Sequence, residues 1–250
     1  MAVLEKNEML NLAENTVKNA LEKGAVDAEA YVYEGQATNI GIEIGQISKS
    51  SRIIDRGLGI RVTVNNAIGF AYTNIIENQT ATQDAISRAI GAAKASKSDN
   101  DWKGLPEKKS FTQAEKTYDN KLLELHAEDL VNIASTMLEA AASVNKRVFP
   151  IEGGVGVAYV STAIANSNGI AVHDRGTMIE SSLAAVAKDG NTVTPVCFEF
   201  NAERNYNIDP VWVGKEAGRL ALSALKTKRI ETSNTKIILT QFALQELFYY

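Results

Sequence analysis

The chain has 250 residues, 45% hydrophobic and 22% charged, enough to bury a sizeable core in one large domain or two small ones. Lysine and arginine total 26 against 30 acidic residues, a net charge of −4 that argues against a nucleic-acid-binding surface. The single cysteine, Cys197, cannot close an internal disulfide, no apolar run reaches the roughly 20 residues that span a bilayer, and the amino terminus lacks a basic n-region. A cytoplasmic, non-membrane protein is expected.

A first helix is predicted over residues 8–23, where Met9, Leu12, Ala13, Thr16, Val17, Ala20 and Leu21 make one apolar stripe and Gly24 stands at its C-terminal cap. A meander follows. Tyr31 and Tyr33 share a face in the run 28–34. Ile40, Ile42 and Ile44 alternate with Gly41, Glu43 and Gly45, and Ile60, Val62 and Val64 with Arg61, Thr63 and Asn65. Ile68, Phe70 and Tyr72 alternate with Gly69, Ala71 and Thr73. Period-two alternation puts one face of each strand on a core, and Asn65-Asn66 tolerates the positive φ of a tight hairpin. A second helix is predicted over 81–96, with Thr80 and Gln83 at capping-box spacing and Ala85, Ile86, Ala89, Ile90 and Ala93 inward. Residues 97–110 are polar and read as a linker or long surface loop held down by Trp102.

The pattern then recurs. A helix over 127–143 carries Leu130, Ile133, Ala134, Met137, Leu138 and Ala141 on one face. Val155, Val157 and Tyr159 open a strand, Asn166-Ser167-Asn168-Gly169 is a turn, and Ile179 to Ala185 lead to an Asp189-Gly190 hairpin. Thr194, Val196, Phe198 and Phe200 are expected to return from it. Asp209-Pro210 opens a further helix with Asp as cap and Pro at its first position. A last strand is predicted over 236–239, followed by an apolar helical segment from Phe242. The expected fold is α+β: two helix–antiparallel meander–helix units in tandem at 1–96 and 123–228, a linker at 97–122, and the start of a C-terminal β-rich domain at 229–250.

Few residues offer chemistry on their own. His126, before a helix, reads as a local cap. His173 reads as a solvated residue at a strand end or turn, and Cys197 as a buried structural thiol. No nucleophile elbow or P-loop is present, and Gly57-Leu58-Gly59 and Gly153-Gly154 do not stand between a strand and a helix start.

Several segments resemble the TldD/TldE (PmbA) family. They are Asp27-Ala28-Glu29-Ala30-Tyr31, Gly57 to Val62, Gly69 to Thr73, the Asn166–Gly169 turn, and Lys215 to Leu225 followed by Ile237-Ile238-Leu239. The resemblance implies a two-subunit, zinc-dependent protease once described as a modulator of DNA gyrase. The family's catalytic subunit carries His-Glu-x-x-x-His on the helix after that last strand. Here the matching positions read Gln245-Glu246-Leu247-Phe248-Tyr249-Tyr250, so Gln245 and Tyr250 stand where the histidines would be and Glu246 where the acid/base would be. Gln and Tyr are poor zinc ligands. The resemblance therefore implies the non-catalytic TldE/PmbA type: no metal in this chain, zinc only in a TldD-type partner, and unfolded polypeptide as substrate. The alternative is a peptide-binding or regulatory module without a proteolytic role. A homodimer through the sheet and the apolar C-terminal segment is also expected, with no nucleic acid and no membrane as partner.

Overall fold

The computed structural model describes residues 3–110, 114–229 and 231–249. Seven strands form an antiparallel array in the order β3-β2-β1-β4-β5, with β6 and β7 both pairing with β5. They are β1 (Asp27–Glu43), β2 (Gln46–Val64), β3 (Ala67–Thr73), β4 (Val148–Asn166), β5 (Ala171–Asp189), β6 (Thr192–Val193) and β7 (Cys197–Glu203). The helices are α1 (Lys6–Glu22), α2 (Gln79–Ala95), α3 (Asn120–Leu123), α4 (Ala127–Val144), α5 (Pro210–Ser223) and α6 (Gln241–Leu247). The two meanders share one sheet. β1 and β4 pair from Glu29↔Asn166 to Glu43↔Glu152, although more than a hundred positions separate them in the chain.

The alternation sets which side chains are buried. Even-numbered residues of β1 from Ala28 to Val32 pack with Leu58, Ile60, Val62, Ala163 and Ala165 beneath α1 and α2. Farther along the same face, Ile40, Ile42, Val155, Val157, Ile179 and Leu183 pack beneath α4 and α5. A 17-residue strand runs roughly 55 Å, whereas a 17-residue helix is about 25 Å long. One helix pair cannot cover such a strand, and two lie over it instead. Close backbone approach seals both pairs. A Cβ on Gly69 would run into the Ala89 carbonyl of α2, and one on Gly214 of α5 into the Met137 carbonyl of α4.

The hairpin signals behave as expected. Asn65 and Asn66 both have positive φ (51° and 60°), and Gly190 has φ 58°. Asp209 caps α5, accepting the Trp212 N–H at 2.8 Å. Trp102 anchors its loop, its Nε1–H donating to Asp27 Oδ2 at 3.2 Å.

Four expectations change. Ile44 leaves the core alternation: it sits in the β1–β2 turn with φ 50° and is 88% exposed. Helix α2 starts at Gln79, capped by Asn78, whose Oδ1 accepts from the Thr80 and Ala81 N–H groups; the short Asn side chain reaches donors that the Thr80–Gln83 spacing had claimed. The return from the Asp189-Gly190 hairpin is split into β6 and β7, because Pro195 has no N–H to offer a ladder. Residues 236–239 form no strand. Ile237 and Ile238 are 75% and 95% exposed, and three consecutive apolar residues give no face to bury.

Candidate functional site

Between the two hydrophobic clusters the helix-covered face turns polar. Cross-strand register sets Arg56, Glu34, Ser161 and Arg175 in one row over β2, β1, β4 and β5. Glu34 is fully buried. Its Oε1 accepts from Arg56 Nη2 at 2.7 Å and Nε at 3.1 Å, and its Oε2 accepts from the Leu4 N–H at 2.7 Å. Arg56 also reaches Glu77 at 3.3 Å. The pair thus ties the segment before α1 to the centre of the sheet. Beside it, Ser161 Oγ lies 2.9 Å from His173 Nε2 and 3.1 Å from Met9 Sδ of α1. Burial, and then the cations Lys6 and Arg175, hold the His173 pKa below its ordinary value, with Asp174 opposing. His173 is the third residue of β5, at a strand end as expected, but it is half-buried opposite Ala163 rather than solvated. A side chain that follows the strand's inward alternation lies on the packed face.

His126 stands at the N-cap of α4, where its backbone N–H donates to Asp129 Oδ2 at 2.8 Å. Cys197 is only partly buried at the margin of the second cluster, and burial pushes its thiol up, away from nucleophilic use.

The positions matching the family's metal helix fall on α6, over the opposite face of the sheet. Phe242 packs on Phe198 and Phe200, with ring centroids 6.1 and 5.2 Å away. Gln245 and Glu246 face Glu180 and Ser182 across a cleft of about 370 Å³; Tyr250 lies outside the described residues. The apolar side of α6 is not buried: Leu244, Leu247 and Phe248 are 39%, 61% and 76% exposed. The polar side chains at this cleft are carboxylates, an amide and serine hydroxyls, without imidazole or thiolate. That set does not fit the three or four converging nitrogen, sulfur and oxygen ligands of a protein zinc site. Among the described residues no three His, Cys, Asp or Glu side chains converge as a metal cluster.

Sequence reasoning missed Glu34, Arg56 and Ser161. The signal was present: Ala28, Ala30, Val32 and Glu34 share one parity, so a carboxylate stood in a row of core positions.

This fold, two α+β units on one sheet, is that of the PmbA/TldA metallopeptidase domains. Residues 28–96 match the model of domain 1 and residues 120–225 that of the central domain. The chain belongs to the TldD/TldE (PmbA) family. It is similar to TldE from Thermococcus kodakarensis, with a TM-score of 0.79 and 25% identity, over 84% of this chain and 47% of that one. A proposed modulator of DNA gyrase from Bacteroides thetaiotaomicron shares the fold at TM-score 0.79 and 18% identity, over 92% of this chain and 52% of that one. An uncharacterized protein from Methanocaldococcus jannaschii is 21% identical over 92% of this chain and 51% of its own length. The chain spans about half the length of the relatives it matches.

Proposed function

We propose that this chain is a TldE-type subunit that does not itself cleave peptides but acts with a TldD-type partner, whose zinc would do the hydrolysis on unfolded polypeptide. The carrying observation is the α6 cleft, where Gln245, Glu246 and Glu180 meet without an imidazole. A glutamate can serve as general base for hydrolysis only when something polarises the attacking water, and these side chains offer nothing for that role. The family membership and the TldE likeness support the subunit type. A cytoplasmic setting belongs to the same proposal; no helix among the described residues is long and apolar enough to cross a membrane.

The test is to assay the purified chain on an unstructured peptide, alone and mixed with a homologue carrying His-Glu-x-x-x-His. Cleavage only in the mixture, abolished by a chelator, is the expected result. Zinc-dependent cleavage by the isolated chain would overturn the non-catalytic role. Peptide binding without cleavage in the mixture would favour a regulatory module.

A further inference from the structure

We propose that the cleft between the β1–β2 hairpin and the α3–α4 junction binds the carboxylate of a small apolar acid: the C-terminal residue of a peptide, or a free apolar amino acid. Ile40 and Ile42 of the β1–β2 hairpin enter the core beneath α4 and α5, but Gln36, Thr38, Ser50 and Arg52, of the same parity, stay outside it and line an open cleft. Thr38 lies opposite Arg52 in the register, and Ile40 opposite Ser50. Leu122 and Leu125 face them, with His126 beside, across a space of about 210 Å³. That is below the roughly 300–1,000 Å³ of sites for drug-sized ligands and suits a single residue.

The polar groups on the hairpin side are poised for a ligand. The Arg52 guanidinium has no ion-pair partner among the described residues; its one protein hydrogen bond is a long 3.4 Å contact from Nη2 to Gln36 Oε1. Gln36 in turn donates to the buried Glu34 at 3.4 Å, which orients its amide oxygen toward Arg52. The hydroxyls of Thr38 and Ser50 make no hydrogen bond within the described residues. A guanidinium beside two hydroxyls recognises a carboxylate, and the leucine wall takes an aliphatic side chain next to it. The end of α4 does not supply the anion site. Its first turn holds Glu128 and Asp129, with Asp129 already engaged by the His126 N–H, so charge recognition rests on Arg52. The inference does not depend on a TldD-type partner.

The chain's two histidines make the test direct: His126 is in the wall of this cleft and His173 is in the polar row under α1. Imidazole C–H resonances are followed by NMR while the full chain is titrated with acetyl-Ala-Leu, its C-terminal amide, free leucine and inorganic phosphate. Acetyl-Ala-Leu should shift His126 saturably and leave His173 in place. Amidating the ligand, or Arg52→Gln, should weaken binding about tenfold or more, as expected for losing a charge-assisted contact. An unmoved His173 signal in Arg52→Gln shows that the fold is intact. Free leucine binding as tightly as the peptide assigns an amino-acid site, and peptide binding alone assigns a C-terminus site. A silent His126 with every acid, unchanged affinity in Arg52→Gln, or phosphate binding as tightly as the acids would each overturn the proposal.

Discussion

One sheet presents two faces built from alternate residues of the same strands, and they are put to opposite use. Beneath the helices, Leu58, Ile60 and Val62 are almost wholly buried, and even a charged residue, Glu34, is buried completely. On the other side, Phe70, Tyr72 and Phe198 are 60%, 69% and 47% exposed, and α6 meets Phe198 and Phe200 of β7 through Phe242. Side-chain type is therefore a poor guide to energetic importance here. A carboxylate on the covered face is bound into the fold, while aromatic rings on the open face remain largely exposed.

The largest effect should come from breaking the buried ion pair. Glu34→Leu removes the buried partner of Arg56, leaving it the exposed Glu77, and frees the Leu4 N–H; a loss of about 3 kcal/mol, the low end for a broken buried pair, is expected in denaturant unfolding. Arg56→Met should cost a similar amount. Joining Arg56→Met to Glu34→Leu should cost clearly less than those two single changes added, because no buried charge then lacks its partner; Glu77 is exposed. A fully additive result would show that the pair is not coupled.

A core residue on the same face comes next. Ile60→Ala removes buried volume under α1 and α2 and should cost about 2–5 kcal/mol. The comparison sharpens if the open-face Phe70→Ala is measured beside it. A loss there near that of Ile60→Ala would mean that the open face is covered in solution.

The pH response tests the seam between the helix pairs. The folded chain resists protonation of His173, so its pKa lies below the unfolded value of about 6.5. Stability is then fully present above that unfolded pKa and is lost progressively as pH falls through the folded one. The melting temperature should drop between pH 7.5 and pH 5, and His173→Gln should make that drop shallower. An identical profile in the variant would remove His173 from the account.

The smallest effect is expected at α6. Phe242→Ala should change global stability within about 0.5 kcal/mol, since its contacts lie at the surface. Its consequence belongs instead to association, read by light scattering. A dimer lost in the variant would place the apolar C-terminal segment in the interface.

Local signals in the sequence determined the elements. Alternation located the strands, i, i+3, i+4 stripes located the helices, and Asn65-Asn66, Asp189-Gly190 and Asp209-Pro210 set turns and a cap, because each depends on the φ, ψ and side-chain reach of neighbouring residues. The family resemblance rested on the same short segments. Only the tertiary structure decided that β1 joins β4, that Glu34 meets Arg56 and Leu4, that Ser161 meets His173, and which face the helices cover. Parity states which residues share a face but not which strand pairs with which, nor what lies on top. Those choices are made by burial summed over both helix pairs, which no window of the chain contains.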